Sequence, residues 1–217
     1  MDVEKNRRAE LIEVLSGHFI CFEEVDLRHA LMTKHCIRAD VVAIPNEPKF
    51  WGFAIAFEVK EPTSKYRNSA DWIQSLRQAA DYVYASIEPK NRADNLSSHF
   101  GRRIAAAFLY PVPSYMPNIR EVTQADAELV EKDDRFLAGA MQLALHFRVG
   151  GASWEQTGIG PRFRLIFGPN EVWRSDCGFC HSGPGLLSGK RTLGSRKVDV
   201  MAELDGIGQK VSYPEFE

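Results

Sequence analysis

The stretch of this chain that most restricts its fold is Phe53-Ala-Ile-Ala-Phe-Glu-Val-Lys60, an apolar run that closes on two charges. Successive side chains of a strand point to opposite faces, so Phe53, Ile55, Phe57 and Val59 form one continuous apolar face. The other face carries Ala54 and Ala56, small enough to leave room above the sheet, and then Glu58 and Lys60. Opposite charges on one face at the end of an apolar strand suit a site built at that strand end.

The neighbouring segments alternate between helical and strand periods. Residues 4 to 15 place Leu11, Ile12, Val14 and Leu15 behind a charged first turn, which predicts a short amphipathic helix. Residues 18 to 27 and 37 to 44 are rich in strand formers, and Pro45, Asn46 and Pro48 turn the chain before the run at 53 to 60. Residues 68 to 87 set Trp72, Leu76, Ala79, Ala80, Val83 and Ile87 at helical spacing, with Ser69 as an N-cap. Residues 102 to 112 read as a buried strand ended by prolines, and a second helix is expected over much of 123 to 147. The order helix, three strands, helix, strand, helix predicts an α/β fold. From about Gly150 the texture becomes glycine-rich and irregular, with a hairpin over 161 to 175, a cysteine turn and a basic loop. The expected division is a core over 1–149 and a C-terminal elaboration over 150–217.

Composition narrows the function classes. A chain of 217 residues suffices for one well-buried domain, and a formal charge of −2 argues against bulk nucleic-acid binding without excluding an enzyme whose basic residues are local. No stretch approaches the roughly 18 apolar residues of a membrane span, and the first 15 residues lack the apolar core of a secretory signal. A cytoplasmic protein is expected, with no membrane partner. Four cysteines without such a signal point to thiols or metal ligands rather than a disulfide framework.

Asp40 and Glu58 lie on consecutive strands joined by a turn that permits antiparallel pairing, so they can converge with Lys60. Two carboxylates and a backbone carbonyl make a hard oxygen site suited to Mg²⁺ or Mn²⁺. A lysine beside them can stabilise charge developing on an attacked phosphate. Each residue also has an ordinary alternative: Glu58 and Lys60 as an exposed charge pair on a sheet edge, Asp40 as a turn acid.

"RADVVAI" followed by "FEVK" resembles the D…(D/E)XK signature of the PD-(D/E)XK nuclease superfamily, and "QAADY" at 78 to 82 resembles the QxxxY motif of its RecB-type and lambda-exonuclease-like members. The likeness spans about residues 20 to 110, with Ala39 where the motif name has proline. It implies a restriction-endonuclease-like mixed sheet flanked by helices and a Mg²⁺-dependent deoxyribonuclease. Asp40, Glu58 and the Val59 carbonyl would bind the metal, and Lys60 would be the catalytic lysine. Gln78 and Tyr82, four apart on one helical face and off the stripe of Leu76 and Val83, would support the site or touch substrate. Glu24, ahead of Glu23, would be the upstream acid. The alternative is a catalytically silent member of the fold that binds DNA or a protein partner.

Two later motifs stand apart. Cys177, Cys180 and His181 carry a C-x-x-C-H spacing that lets two thiolates reach one tetrahedral Zn²⁺, with Cys21 or Cys36 completing the shell; the same spacing serves c-type haem attachment, which does not fit a chain without an export signal. Some RecB-type nucleases hold an iron–sulfur cluster with one early and three late cysteines, and this chain lacks the third late one. Lys190, Arg191, Arg196 and Lys197 sit between glycines with no acid among them and are expected to follow a DNA backbone.

Overall fold

The computed structural model describes residues 3–31, 36–47, 53–60, 69–88, 94–111, 144, 147–167 and 170–180. Helix α1 (Val3–Leu15) leads into β1 (Phe19–His29), β2 (Cys36–Pro45) and β3 (Ala54–Val59), followed by α2 (Ser69–Val83), β4 (Ala85–Ile87), a 3₁₀ turn over Asp94–His99 and β5 (Ile104–Tyr110). Strands β6 (Val149–Thr157), β7 (Gly160–Phe167), β8 (Asn170–Arg174) and β9 (Gly178–Phe179) complete one sheet of order β4-β1-β2-β3-β5-β6-β7-β8-β9. The fold is α/β with a mixed sheet: β3, β5 and β6 run parallel, and the remaining pairs are antiparallel.

All six residues of β3 are buried, which follows from its place in the middle of the sheet with both faces covered. On one face Ala54 and Ala56 join Ile44, Ala107, Leu109 and Val149 beneath Leu76, Ala79 and Tyr82 of α2. The alanines leave the space that the helix occupies. On the other face Ile55, Phe57 and Val59 join Phe108, Tyr110, Phe163 and Trp173 beneath Leu11 and Leu15 of α1.

Three sequence expectations change. The helix over 68 to 87 ends at Val83, because Ala85–Ile87 instead pairs antiparallel with Leu27–His29 of β1. Ile87 kept the apolar spacing of the helix, yet its burial comes from the sheet. Asp40, expected near the start of a strand over 37 to 44, lies mid-strand, since β2 runs from Cys36 to Pro45. The glycine-rich region from 150 is regular where it is described: β6 crosses the 149/150 boundary and pairs with both β5 and β7, and the expected hairpin is β7–β8. The helix over 123 to 147 lies outside the described residues except at 144 and 147, where Ala144 is helical and buried.

Gly150 explains why glycine fell inside a strand. A Cβ there would stand 2.3 Å from the Ile166 carbonyl oxygen and 2.8 Å from the rings of Phe108 and Phe167. Backbone and two stacked rings leave nothing flexible to yield, so Gly150→Ala is expected to cost about 3 kcal/mol through overpacking. Chemical denaturation checks it; a variant within ~0.5 kcal/mol of wild type contradicts the packing account.

Candidate active site

The site forms where β2 and β3 part. Their register runs Ala43 with Ile55, Val42 with Ala56 and Val41 with Phe57, and stops there. At the next position the Asp40 carboxylate replaces a backbone acceptor: Val59 N–H donates to Asp40 Oδ2 at 2.6 Å. Beyond the fork, β3 continues on β5, and Lys60 N–H donates to the Tyr110 carbonyl at 2.8 Å. The end of β3 therefore stays rigid while β2 diverges, and the Asp40 carboxylate lies beside the sheet-held Glu58.

A matching irregularity lies across the β1–β2 pair. Glu23 pairs with Val41 and Val25 with Ala39, but Glu24 between them has φ 49. Both strands change face there: Phe22 and Val42 belong to the α2-side core, Val41 to the α1 side, and Val25 and Ala39 to the α2 side again. This reversal takes Asp40 out of simple in-and-out alternation.

Glu58 is 2% exposed, which removes the reading of an exposed edge pair. Its Oε1 meets Lys60 Nζ at 2.6 Å, and its Oε2 takes a short hydrogen bond from the Tyr82 hydroxyl. That hydroxyl also lies 2.9 Å from the Arg38 carbonyl, so one phenolic proton faces two acceptors. Tyr82 thus meets Glu58, but not from the face expected: it belongs to the buried stripe with Leu76 and Ala79, and its length carries the hydroxyl to the strand end. Gln78 is half-buried one turn earlier on α2.

Burial, then the charge of Glu58, pushes the Asp40 carboxyl up to about 6, with the Val59 hydrogen bond opposing. For Lys60 burial alone would lower the pKa; the Glu58 hydrogen bond and charge, followed by Asp40 and Glu4, more than offset it and the net shift is upward. Burial and the Glu58 charge drive the Tyr82 phenol upward as well, so it remains an O–H donor.

Helix α1 supplies two residues that sequence reading did not single out, Glu4 in its first turn and Arg8 in its second. Glu4 acts electrostatically on both Asp40 and Lys60, and Arg8 feels Asp40 and Glu24. Glu4, Arg8, Leu11 and Leu15 follow i, i+4, i+7, i+11 spacing, one helical stripe whose apolar half seats the helix in the core. That spacing was the available signal. Glu24, the expected upstream acid, is 53% exposed on its side chain and bound to Arg8 Nη1 at 2.6 Å, with Arg38 Nη1 at 3.8 Å.

Among the described residues no group of three or more His, Cys, Asp or Glu side chains gathers as a metal site. The donor chemistry nevertheless fits Mg²⁺ or Mn²⁺: the Asp40 carboxylate is held at the strand end by the Val59 N–H, beside the Glu58 carboxylate, and such ions take one or two carboxylates and fill the rest of their shell with water and phosphate oxygens. Glu58 would exchange the Lys60 contact for the ion.

Cys177 and Cys180 flank β9, where Gly178, at φ 74, approaches the His18 ring and Phe179 packs on Phe19 and Phe53. Arg174 Nε donates to Cys177 Sγ at 3.1 Å, and burial, then Cys177, raises the Cys180 thiol. Cys21 lies near this end of β1, its thiol pushed up to about 12 by burial. Cys36 lies at the other end of β2 from the Phe19–Pro45 pair, roughly 30 Å along the strand, which separates it from the turn. His181, Lys190, Arg191, Arg196 and Lys197 lie outside the described residues.

No family model matches the chain, and neither the curated proteins nor the solved structures contain a match. Among the described residues no helix is long and apolar enough to cross a membrane.

Proposed function

We propose that the protein is a Mg²⁺- or Mn²⁺-dependent deoxyribonuclease of restriction-endonuclease-like fold, hydrolysing DNA phosphodiester bonds. The observation that carries the reading is the fork: a sheet-held Glu58-Val-Lys60 end with Asp40 hydrogen-bonded across it, backed by Tyr82 from the following helix. The sequence of antiparallel β1-β2-β3, then α2, then parallel β5 also agrees with what the D…(D/E)XK and QxxxY resemblance implies.

Asp40 and Glu58, with the Val59 carbonyl, would hold the divalent ion. When bound, that ion supplies Lewis-acid polarisation of the phosphate and activation of water. Lys60 presents its ammonium to charge developing on the phosphoryl oxygens, and rigid attachment of its backbone to β5 limits the reorganisation this needs. Tyr82 holds Glu58 from the opposite oxygen, so that carboxylate stays oriented when Lys60 turns to substrate.

Linear and circular DNA, each single- and double-stranded, incubated with Mg²⁺, Mn²⁺ or chelator, tests the reading. Cleavage that requires the divalent ion is expected. Binding without cleavage under every ion would support the silent nucleic-acid-binding alternative instead.

A further inference from the structure

We propose that Arg8 is a phosphate-binding residue of this site, its Nε edge donating to a non-bridging oxygen of the phosphodiester beside Asp40 and Lys60. The proposal rests on the phosphodiesterase reading and adds a contact from α1 that no motif in the strands supplies.

Placement is the first ground. Leu11 and Leu15 are fully buried on the stripe that contains Arg8, so seating α1 on the sheet carries the arginine inward, and its side chain is 12% exposed. Electrostatically it answers to Asp40 as well as to Glu24.

The hydrogen-bond pattern is the second. Glu24 Oε1 accepts from Nη1 at 2.6 Å, while Nε is buried without an acceptor among the described residues. A desolvated guanidinium N–H calls for an acceptor. Among anionic acceptors, phosphate oxygens match its planar fork, and Nε is one of the donors of that fork.

The third is backbone strain. Glu24 is a non-glycine residue in left-handed conformation inside a strand, φ 49, a state that persists where surrounding structure enforces it and that concentrates at functional sites. Its carboxylate secures Arg8 at 2.6 Å and reaches Arg38 at 3.8 Å. The competing account is a tie between α1 and β1 with no ligand role, and the ion pair alone would satisfy it.

The full chain with Arg8→Gln, Arg8→Lys or Glu24→Gln separates the two. Three measurements are needed: affinity for a fluorescent DNA duplex in Ca²⁺ across a salt series, cleavage in Mg²⁺, and thermal melting. Arg8→Gln is expected to weaken binding about tenfold, lower kcat/KM about 100-fold and reduce the salt slope by roughly one. Arg8→Lys restores the slope but only part of kcat/KM, since an ammonium lacks the fork. Glu24→Gln breaks the same ion pair and shifts melting as Arg8→Gln does, while keeping the wild-type slope. If Arg8→Gln keeps wild-type affinity and slope, or if both variants lose slope and melting in parallel, Arg8 is a structural tie and the proposal falls. Cleavage by wild type with an indifferent Arg8 leaves the nuclease reading standing. DNA binding that depends on Arg8 without any cleavage removes the nuclease reading and keeps the phosphate contact. A wild type that neither binds nor cuts overturns both.

Discussion

Asp40→Asn is expected to lose at least ~10³-fold in DNA cleavage and, at pH 8 in chelator, to be more stable than the wild type by about 2 kcal/mol. Both effects have one cause. The carboxyl is pushed from an ordinary 3.8 to about 6 by burial and by Glu58, so folding at neutral pH must hold an anion in a place that resists it. An acid whose folded pKa is raised contributes stability that is fully present below the unfolded value and is lost as pH rises through the folded one. The wild type should therefore lose about 2–3 kcal/mol between pH ~4 and ~6 from this group. The asparagine, whose side-chain oxygen can still accept from Val59 N–H, lacks that loss. Melting curves from pH 4.5 to 8 check the shape. A variant less stable than wild type at pH 8, or an advantage independent of pH, would falsify the account of strained charge. Mg²⁺ should stabilise the wild type and leave Asp40→Asn unmoved.

Glu58→Ala is expected to abolish cleavage to the same extent but to change stability with the opposite sign, costing about 3 kcal/mol. Glu58 is 2% exposed, ion-paired to Lys60 at 2.6 Å and bonded to Tyr82. Removing one partner of a buried pair strands the other, which typically costs ~3–5 kcal/mol. The lower end applies because the Lys60 side chain is 30% exposed and can turn to water. Lys60→Met alone leaves the buried carboxylate without its cation and should also destabilise, whereas Glu58→Ala with Lys60→Met removes both charges. The double variant should recover at least half of the summed loss, a coupling that a thermodynamic cycle measures directly. Strict additivity would mean that the two charges do not depend on each other in the fold.

The two carboxylates thus occupy one fork with opposite energetic roles, and sequence reading could not separate them. It paired Asp40 with Glu58 as equal metal ligands because spacing along strands says which residues converge, not how each is solvated. Burial and the Val59 hydrogen bond distinguish them, and both depend on β2 leaving β3 after the Val41–Phe57 pair. Tyr82 is a similar case: its four-residue spacing from Gln78 suggested a site-facing surface, yet the residue sits in the core and reaches Glu58 by its hydroxyl alone.

By itself the sequence determined the elements whose signal is local. Alternating apolar residues make β3 a strand, helical spacing makes α1 and α2 helices, and the charges at Glu58 and Lys60 mark where the strand end departs from an apolar core. Tertiary structure decided what depends on long-range partners. Ile87 satisfies a helical period as well as a strand period, and only the edge of β1 resolves it. Val149–Thr157 lies against Phe108 and Phe167 because Gly150 leaves room for their rings, a steric requirement that composition reads as irregularity. Glu4 and Arg8 look like solvated charges in the first two helical turns until Leu11 and Leu15 dock. Burying that apolar half fixes the rotation of the whole helix, so the polar half of the stripe is carried to Asp40 by the same packing.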